Sequence, residues 1–379
     1  MQGEKISMVD LHTQYLRLKS EIDEAMQGVI ASGSFINGPQ VGQFARHLAD
    51  YLQAPHVIPC ANGTDALQIA LMRLNLQRGD EVIMPAFTYA AAAEAAILLG
   101  LTPVLVDVDS RTFNLSPPLV GQAISERSSA ILVVHLFGQC CDMQPILEIA
   151  GRHKLPLIED NAQSLGAEYT FPDGKRLQAG TMGELGALSF FPTKILGAYG
   201  DGGALIVRDR ELAESVRMTT LHGQSQKYHH QMIGCNSRLD TLQAALLDVK
   251  LRYIDSFIAS RRRAAAFYEE ALKEVEEIVL PYRQPSSTHV YHQYSLQVKG
   301  GKRDALQAWL KRKGIPTSVY YPLPIDEQPA FRPYLRTSGE LTVARQLCRS
   351  VLSLPIHTEM TEAQLSHITQ GIRSFFSAQ

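Results

Sequence analysis

The stretch that decides the fold is Leu188-Ser-Phe-Phe-Pro-Thr-Lys194-Ile-Leu-Gly-Ala-Tyr-Gly200-Asp-Gly-Gly203, in which a single lysine stands between apolar runs and glycines. The apolar run at 187–191 predicts a strand before the lysine, and the run at 204–207 predicts a second strand after the glycines. Removing an ammonium group from water is costly, so a lysine held there tends to lose its proton. A neutral amine is what Schiff-base chemistry requires, but the spacing alone fits a solvated loop lysine equally well.

The composition excludes several classes of protein. The 379 residues carry a net charge of −2, which gives no electrostatic argument for a nucleic-acid partner or for an anionic membrane surface. The five cysteines are odd in number and show no Cys-x-x-Cys spacing, so we expect neither a disulfide framework nor a metal site. Charges interrupt residues 1–23, and no signal-peptide core is present there. The sequence therefore predicts a cytoplasmic protein.

Short apolar runs alternate with helical patterns through the first half of the chain. The predicted strands are 56–60, 81–85, 103–107, 130–137 and 155–160. The predicted helices are 16–32, 41–52, 62–74, 90–99, 117–124 and 143–153. Strands that lack polar alternation are typical of a mostly parallel sheet covered by helices on both faces. The pattern therefore predicts an α/β fold.

The pattern changes after residue 207. A helix at 210–219 is followed by a polar, histidine-rich loop at 221–236 and by a long helical pattern at 239–268. A smaller unit with a strand at 291–298 and helices at 303–313, 341–351 and 361–376 begins near residue 278. We therefore predict a large α/β domain at 1–255, which includes an N-terminal helical segment, and a smaller α+β domain at 256–379.

Several polar residues fall at the predicted carboxyl ends of strands, where open parallel sheets bind their ligands. Gly63, Thr64 and Asp65 open a helix directly after a strand, and the free N–H groups of such a helix form an anion site. A plain helix cap is the alternative reading of this segment.

Asp160 ends another apolar strand, where a carboxylate needs a cationic partner or a capping role. A protonated pyridine nitrogen is one such cation. Gln163 follows within reach of a neighbouring ring substituent, and Tyr89 could supply an aromatic face or belong to the core. Ser189, five residues before Lys194, is by itself only a buried hydroxyl.

Six motifs occur in one order along the chain. They are Asn-Gly-Thr-Asp-Ala-Leu (62–67), Pro-Ala-Phe-Thr-Tyr (85–89), Glu-Asp-Asn-Ala-Gln (159–163), Ser-Phe-Phe-Pro-Thr-Lys (189–194), Gly-Asp-Gly-Gly (200–203) and Gly-Cys-Asn-Ser-Arg-Leu-Asp-Thr-Leu-Gln-Ala-Ala (234–245). Together they resemble the nucleotide-sugar aminotransferases of the DegT/DnrJ/EryC1/StrS family, which are pyridoxal-phosphate enzymes of aminotransferase fold type I. The resemblance runs from residue 9 to residue 355.

The resemblance implies a role for each candidate residue. Lys194 would form a Schiff base with pyridoxal 5′-phosphate, and Asp160 would keep the pyridine nitrogen protonated. Gln163 would contact the ring hydroxyl, and Tyr89 would stack on the ring. The cofactor phosphate would be held by three groups of residues, namely Ser189, the backbone at Gly63, Thr64 and Asp65, and Asn236 of a neighbouring subunit. The last role implies a homodimer with shared active sites.

The substrate implied by the resemblance is a nucleotide-linked keto sugar, with L-glutamate as the amino donor. The segment 222–240 is most similar to the branch that acts on UDP-2-acetamido-2-deoxy-3-oxo-glucuronate. His229, Arg238, Tyr320 and Tyr321 are the candidates for contacting this substrate, although many relatives carry histidine where Tyr320 stands. The alternatives are a dTDP-linked 3-keto or 4-keto hexose, a sugar dehydratase, in which histidine replaces the lysine, and a non-catalytic homologue.

Overall fold

The computed structural model describes residues 6–377, so the first five residues of the predicted large domain and the last two of the small one lie outside it. Within this range there are twelve α-helices. They are α1 (Leu11–Ser32), α2 (Pro39–Leu52), α3 (Gly63–Met72), α4 (Ala91–Leu98), α5 (Pro117–Ala123), α6 (Met143–His153), α7 (Arg210–Thr220), α8 (Thr241–Leu251), α9 (Ile254–Leu272), α10 (Arg303–Arg312), α11 (Thr342–Ser350) and α12 (Glu362–Ser377).

Fifteen strands lie in the same range of the chain. They are β1 (His56–Cys60), β2 (Glu81–Pro85), β3 (Thr102–Val106), β4 (Ser128–Val134), β5 (Leu157–Asp160), β6 (Glu168–Thr170), β7 (Arg176–Gln178), β8 (Leu185–Ser189), β9 (Gly203–Val207), β10 (Gln224–Gln226), β11 (His229–His230), β12 (Ile278–Val279), β13 (Tyr294–Val298), β14 (Arg336–Ser338) and β15 (Val351–Leu354).

The central sheet has eight strands in the order β1-β9-β8-β5-β4-β2-β3-β14. Its described strands are parallel except for β9, which runs antiparallel to both β1 and β8. The predicted α/β fold with a mostly parallel sheet is therefore confirmed. Because the strands share one direction, the carboxyl ends of β4, β5 and β8 lie side by side, which brings distant polar residues together.

Alternate residues of each strand face opposite layers of helices. On β4, Leu132 and Val134 belong to a core with helices α3, α4, α7 and α11, whereas Ile131 and Val133 belong to a core with helices α2, α5, α6 and α8. Each face of the sheet therefore buries a continuous apolar surface, which is the physical reason for the lack of polar alternation in the sequence.

A third core lies in the C-terminal part, where β12, β13 and β15 form an antiparallel sheet that packs against α10 and α12. Helix α9 joins two cores, because Ile258 packs beneath the large sheet and Tyr268 packs in the third core. The C-terminal part also returns to the large sheet, where β14 pairs with β3 and Asp107 accepts N–H bonds from Val343 and Ala344 at 2.8 Å each. The domain boundary at 255/256 stays a prediction.

Several local predictions were inaccurate; the strand predicted at 291–298, for example, begins at Tyr294. Strand β4 ends at Val134, three residues before the predicted end, because the chain turns at Leu136–Gly138 with Phe137 at φ 58°. The Leu136 N–H donates to Asn114 and the Phe137 N–H donates to Gln163, so side chains from distant segments stabilise this turn. The predicted loop at 221–236 also contains the short hairpin β10–β11.

Candidate active site

Strand β5 presents two consecutive carboxylates that serve different purposes. Glu159 is fully buried and accepts N–H bonds from Gly180, Met182 and Gly183 at 2.5–2.8 Å. It also contacts His135 Nε2 at 2.8 Å. Neighbouring residues of a strand point to opposite faces, so Glu159 is occupied with the loop before β8 while Asp160 faces the other way.

Asp160 is a buried carboxylate with one hydrogen bond. It is 7% exposed, and its Oδ1 accepts the Ala162 N–H at 3.0 Å. No other side-chain bond of Asp160 occurs among residues 6–377. Desolvation raises the pKa of Asp160, while the Ala162 N–H, Lys194 and His135 act in the opposite direction. A carboxylate held in this way favours a cation placed at its free oxygen.

Lys194 follows β8 in a tight turn, in which its N–H donates to the Phe191 carbonyl at 2.8 Å. The side chain keeps partial exposure, but the surrounding protein desolvates the ammonium group and lowers the pKa of Lys194 to about 8. Asp160 opposes that shift by favouring the charged form. The two residues, 34 positions apart in the sequence, therefore share one electrostatic environment.

The amino end of α3 lies directly against the end of β8. A Cβ placed on Gly63 would come within 2.7 Å of the Ser189 Cβ, so glycine is required for this approach. The Asp65 N–H donates to Asn62 Oδ1 at 2.8 Å and is thereby occupied. The N–H groups of Gly63 and Thr64 donate to no acceptor in the described chain, so both remain available to an external acceptor.

An aromatic group lies beside the two charged residues. Gln163 accepts the Phe137 N–H at 2.8 Å and donates to the Tyr321 hydroxyl at 3.1 Å. The Tyr321 ring stacks on Phe137, with centroids 6.4 Å apart, and lies 6.3 Å from the Tyr89 ring. Desolvation and the Asp160 charge both raise the pKa of Tyr321. Tyr89 itself is 61% exposed, so one face of its ring is open.

Four of the predicted site residues form no hydrogen bond or ion pair with Lys194 or Asp160 within residues 6–377. Asn236 is exposed, but the next residue, Ser237, is buried and accepts the Ala61 N–H at 3.1 Å, close to the start of α3. Arg238 is half-buried and forms no ion pair within residues 6–377. His229 is exposed on hairpin β10–β11, and Tyr320 is half-buried with its ring 5.9 Å from that of Tyr321.

Sequence reasoning missed two histidines near the site. His135 accepts the Cys141 N–H at Nδ1, which assigns its proton to Nε2 facing Glu159, and its position directly after β4 was a signal that could have revealed it. His292 is 6% exposed, and desolvation together with the Lys194 charge lowers its pKa far below the ordinary value. It lies almost one hundred residues beyond Lys194, so no local pattern indicates it.

Comparison with known proteins decides the family. A model of the DegT/DnrJ/EryC1/StrS aminotransferase family matches residues 16–373. The chain belongs to this family. It is 45% identical to the UDP-2-acetamido-2-deoxy-3-oxo-D-glucuronate aminotransferase of Pseudomonas aeruginosa, over 97% of this chain and 99% of that protein. It is 38% identical to the dTDP-3-amino-3,4,6-trideoxy-alpha-D-glucose transaminase of Streptomyces venezuelae, over 98% and 96% of the two chains.

A solved structure similar to this chain carries a cofactor. The crystal structure of NtdA from Bacillus subtilis with bound PMP is 31% identical, with a TM-score of 0.87 over 95% of this chain and 82% of that one. The predicted aminotransferase activity, cofactor and fold type are thereby confirmed. The DegT/DnrJ/EryC1/StrS enzyme described here depends on pyridoxal phosphate.

The residues present fit that cofactor. Among residues 6–377, the Asp160 carboxylate has no second donor and the first N–H groups of α3 have no acceptor, while the Tyr89 ring is largely exposed. These features suit a protonated ring nitrogen, a phosphate and an aromatic ring in that order.

Residues 6–377 contain no group of three or more histidine, cysteine or acidic side chains placed to hold a metal ion. In the same range, no helix has the length and apolar character that a membrane crossing needs.

The lowered pKa of Lys194 predicts an unusual pH dependence of its reactivity. In the cofactor-free protein, acetylation of Lys194 by acetic anhydride, followed by peptide mass spectrometry, should rise with pH about a midpoint near 8. Asp160→Asn removes the charge that favours the ammonium form of Lys194. The pH midpoint of Lys194 acetylation in this variant should therefore lie below that of the wild type. Asp201→Asn, which changes an exposed carboxylate in the following turn, is the control and should leave the midpoint unchanged. A wild-type midpoint near 10.5 would contradict the assignment.

Proposed function

We propose that this enzyme transfers the amino group of L-glutamate to C3 of UDP-2-acetamido-2-deoxy-3-oxo-glucuronate. Glutamate leaves as 2-oxoglutarate, and the sugar ketone becomes an amine. The substrate assignment is supported by the 45% identity to the Pseudomonas aeruginosa enzyme over nearly the whole of both chains. The observation that carries the proposal is that a desolvated Lys194 amine and a buried Asp160 carboxylate lie close enough for each to favour the charged form of the other.

Lys194 and Asp160 divide the catalytic work. Pyridoxal phosphate supplies an electron sink when it is bound, and the sink depends on a protonated ring nitrogen. Asp160 would keep that nitrogen protonated, because a buried carboxylate stabilises a neighbouring cation. Lys194 would anchor the cofactor through its Nζ amine, and the same amine, once free, would serve as the general base that accepts and returns a proton at Nζ. The pKa of about 8 leaves a useful fraction of the neutral amine near neutral pH.

Other residues of the site position the cofactor. The N–H groups of Gly63 and Thr64, together with the Ser189 hydroxyl, would hold the phosphate at the amino end of α3. The exposed ring of Tyr89 would stack on the cofactor ring, and the second N–H of Gln163 Nε2 would be available to its hydroxyl. The N–H of Asp65 is engaged by Asn62, so this residue contributes mainly to the shape of the cradle.

Substrate recognition is assigned to residues around the mouth of the site. Arg238 has a guanidinium group without a carboxylate partner among the described residues, which suits the pyrophosphate of a nucleotide sugar. His229 adds a second donor from hairpin β10–β11, and Tyr320 and Tyr321 line the side occupied by the sugar.

We further propose a homodimer in which Asn236 reaches the cofactor phosphate of the neighbouring subunit. Asn236 is exposed, and large apolar side chains near the site share this property: Phe191 is 50% exposed and Ile233 is 84% exposed. Exposed apolar groups around an opening favour burial against another protein surface. The proposed enzyme acts in the cytoplasm, without nucleic-acid or membrane partners, in agreement with its net charge of −2.

A substrate panel tests the proposed reaction. The enzyme should convert UDP-2-acetamido-2-deoxy-3-oxo-glucuronate and glutamate to the 3-amino sugar and 2-oxoglutarate, as detected by mass spectrometry. Turnover should be lower with dTDP-linked 3-keto and 4-keto hexoses, and Lys194→Ala should abolish it. Preference for a dTDP-linked sugar would reassign the substrate, and a deoxygenated product would identify a dehydratase instead.

Subunit mixing tests the shared site. Lys194→Ala and Asn236→Ala should each be nearly inactive as pure proteins, but subunits mixed after reversible dissociation should recover activity. With random pairing, half of the dimers contain one subunit of each variant, and one of the two sites in such a dimer combines native Lys194 with native Asn236. About a quarter of all sites are therefore intact. Recovery near this fraction supports the shared site, whereas no recovery, or full activity of Asn236→Ala alone, would contradict it.

A further inference from the structure

The structure contains a second buried lysine that the reaction does not use. Lys250 on helix α8 is 1% exposed, and its ammonium group donates to the Gly197 carbonyl at 2.5 Å. The group lies 5.3 Å from the centroid of the Tyr199 ring, and no carboxylate pairs with it within residues 6–377. Desolvation lowers the pKa of Lys250 to about 8. Burying an unpaired ammonium is costly, so this arrangement needs a compensating role.

The Gly197 carbonyl belongs to the turn that carries Lys194. The Lys194 N–H donates to Phe191 at 2.8 Å, and the Ala198 N–H donates to Phe190 at 2.7 Å. Space inside the turn is very small, because a Cβ on Gly197 would lie 2.1 Å from the Pro192 carbonyl oxygen. No backbone N–H of the described chain donates to the Gly197 carbonyl, so Lys250 is its donor.

Helix α8 holds the same turn at a second point. Gln243 accepts the Tyr199 N–H at 2.8 Å and donates to the Tyr199 carbonyl at 3.3 Å. Gln243 and Lys250 are seven positions apart, which places them on one face of the helix two turns from each other. The side chains of a single rigid helix therefore bind two neighbouring backbone segments just after Lys194.

We propose that Lys250 is a positioning residue for Lys194: by binding the Gly197 carbonyl, it fixes the turn so that the Lys194 amine faces Asp160. This inference rests on the proposed catalytic role of Lys194 but not on the identity of the sugar. Lys250 is too buried to meet a cofactor, so it acts only through the backbone of the turn.

The substitution Lys250→Met tests this proposal, because methionine keeps a long apolar stem and removes the donor. The amides of Lys194 and Ala198 should exchange with deuterium at least about tenfold faster, since the turn loses a charged hydrogen bond. With glutamate and the accepted keto sugar, kcat should fall about tenfold while KM changes less than twofold, because orientation and not binding is lost. Lys175→Met, at an exposed lysine, is the control and should change neither quantity.

Unchanged amide exchange in a folded Lys250→Met protein would overturn the proposal. If that variant does not fold, Gln243→Leu is measured in the same way, because it removes the second contact to the turn without exposing a buried charge. In this variant too, the amides of Lys194 and Ala198 should exchange with deuterium faster than in the wild type. Exchange at the wild-type rate would again overturn the proposal. Since amide exchange needs no substrate, a wrong sugar assignment would leave this test intact.

Discussion

The site depends on an amine and a carboxylate that are removed from water at the same edge of one sheet. Desolvation lowers the pKa of Lys194 and raises that of Asp160, so burial disfavours the charged form of each group, while their mutual attraction favours both charged forms. This balance leaves a reactive amine and an acid that is ready to stabilise a third, cationic partner. A protonated pyridine ring fits that position.

The scaffold around this pair is rigid because neighbouring groups are already bonded. Glu159, the residue before Asp160, is saturated by three backbone N–H groups and by His135, so it fixes β5 against the loop before β8. Gly63 allows α3 to approach Ser189 closely, which brings its free N–H groups next to the Lys194 turn. The parallel direction of the strands then places all these elements at one edge.

Much of this arrangement can be predicted from the sequence, because continuous apolar runs, glycines and strand ends are local features. The positions of Lys194 and of the residues that cap α3 can be predicted from such local features. Other features depend on contacts between distant segments: Tyr321 reaches Gln163 across 158 residues, and β14 joins the sheet through pairing with β3. His292 and Lys250 are buried by the fold as a whole, so their surroundings cannot be derived from neighbouring residues. The resemblance already selects Asp160 over the adjacent Glu159, and the structure adds a physical reason, because Glu159 is engaged by three backbone N–H groups and by His135.

The two lysines show that a lowered pKa does not by itself identify the reactive residue. Lys194 and Lys250 both have a pKa of about 8, but only Lys194 is partly exposed and influenced by Asp160. The most direct test is to reduce the pyridoxal-phosphate-loaded protein with sodium borohydride and to map the modified lysine by tandem mass spectrometry. We expect the added mass on Lys194 alone. Modification of Lys250 or of any other lysine, with Lys194 intact, would contradict this account.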